Sequence, residues 1–442
     1  MSRRNLRLAF LLPAAIWFLL GAAALAQQSR PVVYVARIQG VINPVMSSYV
    51  LRALGEAQQN KASALLIEID TPGGLMDSMR DITGAILNAK VPVIVYVSPQ
   101  GARAASAGVF VTQSAHIAAM APNTNIGSAH PVSGDGQQMD ATMTEKVVND
   151  AVAQIRDMSQ RRGRNAEWAE KAVRESVSVP SQEAYTLKVV DLLADDTASL
   201  LNAIDGRVVL LADGRSVTLV TKGAELVRAD MNLAEDFLHV ITDPTIAYLM
   251  LSLGGLALAF ELTSPGALLP GVAGVILILL ALYALGTLPV NFTGVLLVLV
   301  GFALMIGEVL LAPGHGVMAV GGIIALLLGS LIMMLASAPF LAVSPYAAGG
   351  VAIVTVAFFF IAIRGVVRTY RRQPTTGIQG LMGALGETRS ELNPSGMVFL
   401  QGELWEAVTD GEALPRGASI RVVAVTGLRL HVIANKEPYA EA

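Results

Sequence analysis

One serine among small residues is the first place in this chain where chemistry could be done. Ser106 lies in Gly101-Ala-Arg-Ala-Ala-Ser-Ala-Gly-Val-Phe110, between an apolar strand-like run and a helix-like run, Ala105 to Ser114. A serine at a strand-to-helix turn exposes its oxygen, and small neighbours let a substrate backbone come close. A second turn, Asp70-Thr-Pro-Gly-Gly-Leu75, carries two adjacent glycines at the start of another helix-like run. Such a turn can aim backbone N–H groups at a developing negative charge, which suits an oxyanion hole for acyl transfer. A nucleophilic serine also needs a base. Lys146 stands 40 residues downstream at the start of a long amphipathic run, and His130 lies in Gly127-Ser-Ala-His-Pro-Val132. A lysine serves when desolvation favours its neutral form, a histidine when a carboxylate orients its ring. Composition alone does not choose between them. The chain has no cysteine, so thiol chemistry, disulfides and thiolate metal sites are excluded. The five histidines are scattered without ligand spacing, and no cofactor or metal is expected.

These residues need a scaffold, and the pattern from residue 30 to about 205 supplies one. Val32 to Ile38, Ala64 to Ile69 and Val91 to Val97 read as strands, and Val45 to Gln59 and Leu75 to Asn88 as helices. Lys146 to Arg162 reads as a long helix with Val147, Ala151, Ile155 and Met158 on one face. Val189 to Leu193 reads as a late strand, and Val208 to Val220, broken at Asp213-Gly214, as a hairpin. Strand and helix in alternation imply right-handed crossovers and a parallel sheet flanked by helices.

Hydrophobic residues make up 53% of the chain and charged ones 15%, below the quarter typical of soluble domains, so part of it belongs in lipid. Residues 1–26 have the form of an export signal: Arg3, Arg4 and Arg7, an apolar core, then Ala24-Leu25-Ala26 as a cleavage site that favours removal over the rival reading, an uncleaved anchor. Five apolar runs, about 246–263, 267–287, 291–311, 317–337 and 346–364, are each long enough for a hydrocarbon core of roughly 30 Å. Glu261 and Glu308 are the only Asp, Glu, Lys or Arg residues from 246 to 363, each followed by a Pro-Gly turn. Their similar settings hint at a duplicated span-and-turn unit, with both carboxylates near span ends. With the signal removed, five crossings leave the C-terminus inside, where Arg364, Arg368, Arg371 and Arg372 satisfy the positive-inside rule, whereas four spans with one re-entrant loop would break that parity. The first domain is then extracytoplasmic.

Residues 374–442 return to short β-like runs, 397–400, 403–408, 419–425 and 428–433, punctuated by glycine. This predicts a five-stranded barrel of the OB type. It lacks a basic, aromatic-rich face, and the net charge is −3, so nucleic acid is not the expected partner.

The residues also carry a family resemblance. Asp70-Thr-Pro-Gly-Gly74, Ala104-Ala-Ser-Ala-Gly108 and Asn125-Ile-Gly-Ser-Ala-His-Pro131 resemble the membrane-bound, Clp-class serine peptidases of the NfeD family. Gly402-Glu-Leu-Trp405 and Gly427-Leu-Arg-Leu430 are similar to that family's barrel, and the order of parts matches its long members. The resemblance implies a signal peptide (1–26), a peptidase domain of crotonase-like ββα spiral fold (30–230), about five transmembrane helices (246–364) and an OB domain (374–435). It implies a Ser-Lys dyad, with Ser106 as nucleophile and Lys146 as base, oxyanion N–H groups from Gly74 and Ala107, and Gly73 shaping the turn. His130, the alternative base, falls where soluble Clp subunits carry a triad histidine. Their acidic partner would fall at Ser176, seven residues before Glu183-Ala184, with Glu175 one register away. The triad therefore lacks its orienting carboxylate. The resemblance further implies a homo-oligomer in a bacterial inner membrane that cuts hydrophobic segments of stomatin-like membrane proteins. The competing expectation is a catalytically silent scaffold that organises such a partner.

Overall fold

The computed structural model describes residues 30–133, 140–263, 266, 268–288, 290–311, 316–334, 342–370 and 378–435; the expected signal segment lies outside them. The chain divides into two compact units, Met1–Gly307 with Val317–Val356, and Glu308–Gly316 with Ala357–Ala442.

The first unit begins with β1 (Val32–Gln39), α1 (Pro44–Gln59), β2 (Ala64–Asp70), α2 (Met76–Leu87) and β3 (Val93–Val97). Then come β4 (Arg103–Ala105), α3 (Ala107–Ser114), β5 (Ile117–Met120), β6 (Asn125–Gly127), α4 (Ala141–Arg161) and α5 (Ala166–Arg174). The domain continues with β7 (Ser178–Pro180), α6 (Ser181–Thr186), β8 (Leu192–Leu193), α7 (Thr197–Ile204), β9 (Val208–Leu210), β10 (Ser216–Thr218) and β11 (Glu225–Arg228). Six strands form one sheet in the order β11-β1-β2-β3-β5-β8, parallel throughout. Strand alternation splits their side chains between two cores. Leu65, Ile67, Ile69, Val93, Val95 and Val97 pack toward α1–α5, whereas Leu66, Ile94 and Tyr96 join Leu200, Ile204 and Val209 on the opposite face. Covering both faces explains why these strands read as continuous apolar runs.

A second, smaller sheet makes the fold a spiral. β6 pairs in parallel with β4 and antiparallel with β7. Single-residue bridges, Ile42 to Gly74 and Thr71 to Ala104, extend the pattern to the earlier turns. Each repeat thus gives a long strand to the first sheet, a short pairing to the second, then a helix. This is the expected ββα spiral. The helix after Ser106 starts at Ala107, not Ala105, because residues 103–105 pair as β4. The long helix starts at Ala141 rather than Lys146, where Asp140 caps it by accepting the Met143 N–H at 2.9 Å. Its buried stripe includes Val148, Ala151, Val152, Ile155 and Met158, whereas Val147 is only half-buried.

α8 (Leu233–Ile241) precedes five apolar helices: α9 (Pro244–Thr263), α10 (Leu269–Gly286), α11 (Phe292–Leu311), α12 (Val317–Met334) and α13 (Pro345–Tyr370). Four are long and apolar enough to cross a membrane; the apolar stretch of the fifth, Val317–Met333, is shorter. Glycines let paired helices touch. A Cβ on Gly254 of α9 would lie 2.9 Å from the Gly274 carbonyl of α10, and Gly301 of α11 faces Gly322 of α12 as closely. Glu308 is buried, and its carboxylate accepts the Gly316 N–H at 2.7 Å. In the second unit, β12 (Leu385–Thr388), β13 (Ser395–Leu400), β14 (Glu403–Thr409), β15 (Ser419–Thr426) and β16 (Arg429–Ala434) close a barrel, β12-β13-β14-β16-β15, around Val398, Leu400, Ile420 and Leu430.

Candidate active site

The second sheet holds the two small-residue turns against each other. Thr71 follows β2, donates its N–H to the Arg103 carbonyl at 2.7 Å, and accepts the Ala105 N–H at 3.1 Å. Its hydroxyl donates to the Gly73 carbonyl at 2.9 Å and accepts the Gly73 N–H at 3.0 Å. Gly73 sits at φ +130°, which a side chain would strain. The bridge to Ile42 uses the groups that flank Gly74: the Gly73 carbonyl accepts the Ile42 N–H at 2.9 Å, and the Leu75 N–H donates to Ile42 at 2.8 Å. The Gly74 N–H therefore points the other way. Contact with Ile42 is so close that a Cβ on Gly74 would sit 2.2 Å from its carbonyl oxygen.

Ser106 links β4 to α3 at φ +53° and ψ −115°, a conformation non-glycine residues adopt at a cost of about 1–3 kcal/mol. Its N–H donates to the Gly127 carbonyl at 3.1 Å, and its own carbonyl accepts the Val109 N–H at 3.0 Å. A Cβ on Gly108 would lie 2.6 Å from the Thr71 methyl, so the start of α3 seats directly on the other turn. Among the described residues the N–H groups of Gly74 and Ala107 have no acceptor. Both residues line a cavity of about 620 Å³ with Ser106. Much of its wall is apolar, from Leu75, Met76, Met79, Phe110, Val132 and Leu288. A serine oxygen beside a helix N-terminus in a largely apolar cleft can attack a carbonyl and have the resulting oxyanion met by backbone donors.

The far end of α3 is anchored as firmly. Arg164, 6% exposed, donates to the carbonyls of Thr112, Gln113 and Ala115 at 3.0–3.2 Å and to both oxygens of Asp191 at 3.0 and 2.7 Å. This puts a cation on the orphan carbonyls of the helix C-terminus. Beside it, His116 accepts the Val93 N–H through Nδ1 at 3.1 Å. Burial, reinforced by Arg162 and Arg164, pushes its pKa down to about 3.

The two candidate bases stand elsewhere. Lys146 is exposed in the second turn of α4 and does not line the cavity, although Ala151, further along the same helix, does. Among the described residues its amine has no hydrogen-bond or ion-pair partner. One turn on, Asp150 pairs with Arg80 of α2. Nor does His130 line the cavity, although Ala129 and Pro131 do. Its Nδ1 lies 2.8 Å from the Val173 carbonyl, which only accepts, so Nδ1 carries the proton. The ring is thus oriented by a backbone carbonyl rather than a carboxylate. The structure brings together Ser106, Gly74 and Ala107, shaped by Gly73, and leaves both bases outside the lining. Sequence reasoning missed Pro44 and the group Gly286, Thr287 and Leu288, all of which line the cavity. Only Pro44 carries a local signal, as the first residue of α1.

The membrane-bound protease PH1510 of Pyrococcus horikoshii is 34% identical over 422 residues, covering 93% of this chain and 96% of that protein. The chain belongs to the NfeD family. Residues 32–212 match the NfeD1b N-terminal domain, 245–364 the NfeD integral membrane domain, and 378–432 the NfeD-like C-terminal, partner-binding domain. A second NfeD relative, the membrane protein NfeD1b of Bacillus subtilis, is 29% identical over 435 residues, covering 94% of this chain and 95% of its own. Among solved structures, the 1510-N membrane protease specific for a stomatin homolog, from Pyrococcus horikoshii, is 34% identical and covers 49% of this NfeD-family chain and 100% of its own, with a TM-score of 0.43.

Proposed function

We infer that this protein is a membrane-anchored serine endopeptidase that uses a Ser106–Lys146 dyad to cut hydrophobic segments of membrane-associated, stomatin-like proteins. The observation that carries the reading is Ser106 itself. It is held at a strained φ at the start of α3, in a largely apolar cleft also lined by Gly74 and Ala107, whose N–H groups have no acceptor among the described residues. Kinship over nearly the full length with a membrane-bound protease agrees with it.

In the reaction neutral Lys146 takes the proton of the Ser106 hydroxyl, and the serine oxygen attacks a peptide carbonyl. The Gly74 and Ala107 N–H groups receive the oxyanion. Collapse expels the amine with a proton returned from Lys146, and water then releases the acyl group. Lys146 is exposed and lies outside the cavity lining, so bound peptide must cover the first turns of α4 for it to act on the Ser106 hydroxyl.

In this reading residues 30–230 form the peptidase domain, extracytoplasmic after removal of signal 1–26. Residues 246–364 hold it in the inner membrane of a bacterium, and the OB domain, 374–435, faces the cytoplasm. There it meets the stomatin-like partner that the family resemblance implies, in a homo-oligomer. The test is made on the full chain in detergent or nanodiscs, with a serine-directed covalent probe and a library of hydrophobic peptides. Wild type should cut and be labelled at Ser106. Ser106→Ala should do neither and melt at the same temperature. Equal turnover by that variant removes the assignment, and intact protein that binds a stomatin-like partner without cutting supports the scaffold instead.

A further inference from the structure

We propose that the end of α10 is part of the substrate site, with Leu288 setting the size of the apolar side chain that the protein accepts beside the cut bond. The inference rests on the peptidase reading above and names its specificity. Gly286, Thr287 and Leu288 line the same cavity as Ser106 and Gly74. They belong to the end of a helix whose mean hydropathy, 2.3, is that of a membrane span. Leu288 is 4% exposed, and Met76, Met79 and Phe110 line the same cavity. A bulky apolar side chain entering this space would meet an apolar lining to which Leu288 contributes. The matching ligand is an extended peptide with a large apolar residue, reaching the site where a span emerges.

The wall is anchored rather than merely adjacent. The Thr287 N–H donates to the Tyr283 and Ala284 carbonyls at 3.2 Å, and its hydroxyl donates to Ala284 at 2.8 Å. The Leu288 N–H donates to Leu285 at 3.3 Å, and its carbonyl accepts the Val290 N–H at 2.8 Å. α10 packs tightly on α9 where Gly254 meets Gly274, and α8 packs on both. α8 in turn is clamped to the peptidase domain. Arg52 of α1 holds both oxygens of Glu235 at 2.8 and 2.6 Å and the Asp230 carbonyl at 2.8 Å. Asn43 caps α1 and donates to the Thr242 hydroxyl at 2.9 Å, with both residues only 2% exposed. The next residue, Pro44, lines the cavity. An unbroken series of contacts therefore sets the end of α10 relative to the nucleophile. The membrane region does more than tether the domain: it closes the site.

The test uses the full chain in nanodiscs, with peptides that vary one apolar residue through Ala, Leu, Phe and Trp. Leu288→Ala should move the preference toward larger residues and Leu288→Trp toward smaller ones. Each should change the ratio of kcat/KM between Leu and Trp peptides about tenfold or more, mainly through KM. Leu285→Ala, on the same turn but outside the cavity lining, controls for loosening of the helix end and should leave the preference unchanged. Binding of the same peptides to Ser106→Ala, alone and combined with each Leu288 variant, is measured in parallel. If wild type does not cut but peptide affinity still follows the residue at 288, the peptidase reading fails and the specificity inference stands. If neither cleavage nor binding preference moves with residue 288, or no peptide binds, the inference is overturned.

Discussion

Around Ser106 the backbone is tied to neighbouring segments, whereas the side chain of Lys146 is tied to nothing among the described residues. Thr71 bonds Arg103, Ala105 and Gly73; Ser106 bonds Gly127; Gly74 and Gly108 leave no room for a Cβ. Lys146 sits on an exposed helical turn with no partner among the described residues. Electrostatic stabilisation of an oxyanion needs donors already in place, because dipoles that must reorganise give back much of their benefit. On the proposed Ser106–Lys146 reading, the charge-stabilising half of the site is built in advance, and the proton-transfer half is completed only when bound peptide covers the exposed start of α4.

The sharpest way to break that contrast is to exchange the bases. Lys146→Ala should lower kcat by roughly 10⁴-fold, the scale on which removing one member of a serine triad disables it. His130→Ala should stay within about threefold of wild type, since its ring does not line the cavity and, among the described residues, is held by the Val173 carbonyl alone. Single-turnover cleavage of a peptide ester decides it. A severe loss in His130→Ala with Lys146→Ala still active would give the base to the histidine and dissolve the comparison.

A smaller effect probes the built-in half. Gly74→Ala places a Cβ 2.2 Å from the Ile42 carbonyl oxygen and must shift the turn whose N–H is proposed to receive the oxyanion. We expect kcat to fall about 10²–10³-fold, as when one oxyanion donor is lost, with KM little changed. A variant that kept wild-type kcat would show that the Gly74 N–H is not a donor in the transition state.

The sequence was most legible where burial is continuous. β3, Val93–Val97, is wholly buried, so an unbroken apolar run betrays it. The second sheet was not legible. Arg103-Ala-Ala105 and Asn125-Ile-Gly127 are too short for any period, and partners elsewhere in the chain define them. That omission displaced the predicted start of α3 onto Ala105, two residues before the helix begins. The glycines of the 70–75 turn were readable because only close backbone approach or positive φ explains a Gly-Gly pair there, and both occur. Leu288 gave no local sign. Its place in the cavity depends on how α8 docks on α1, through Asn43–Thr242 and Arg52–Glu235, and no single-residue pattern encodes that.

The smallest expected effect is a pH dependence confined to the rigid half. His116 sits just beyond the C-terminus of α3, neutral because burial, with help from Arg162 and Arg164, holds its pKa at about 3. In the unfolded chain the same ring titrates near 6.5, so below that pH the unfolded state binds a proton that the folded state refuses. Its contribution is complete above about pH 6.5 and is lost as pH falls toward 3, by at most about 1.4 kcal/mol per pH unit. Carboxylates also titrate in this window, so the measurement is a difference. His116→Asn keeps an acceptor for the Val93 N–H but no titrating ring. Amide exchange across Val109–Ser114, corrected for intrinsic rates, should lose protection more steeply between pH 6 and pH 4 in wild type than in His116→Asn. Parallel pH profiles would mean that the ring charges without disturbing α3, and that this helix is less tightly held at its far end than Arg164 and its three carbonyl contacts imply.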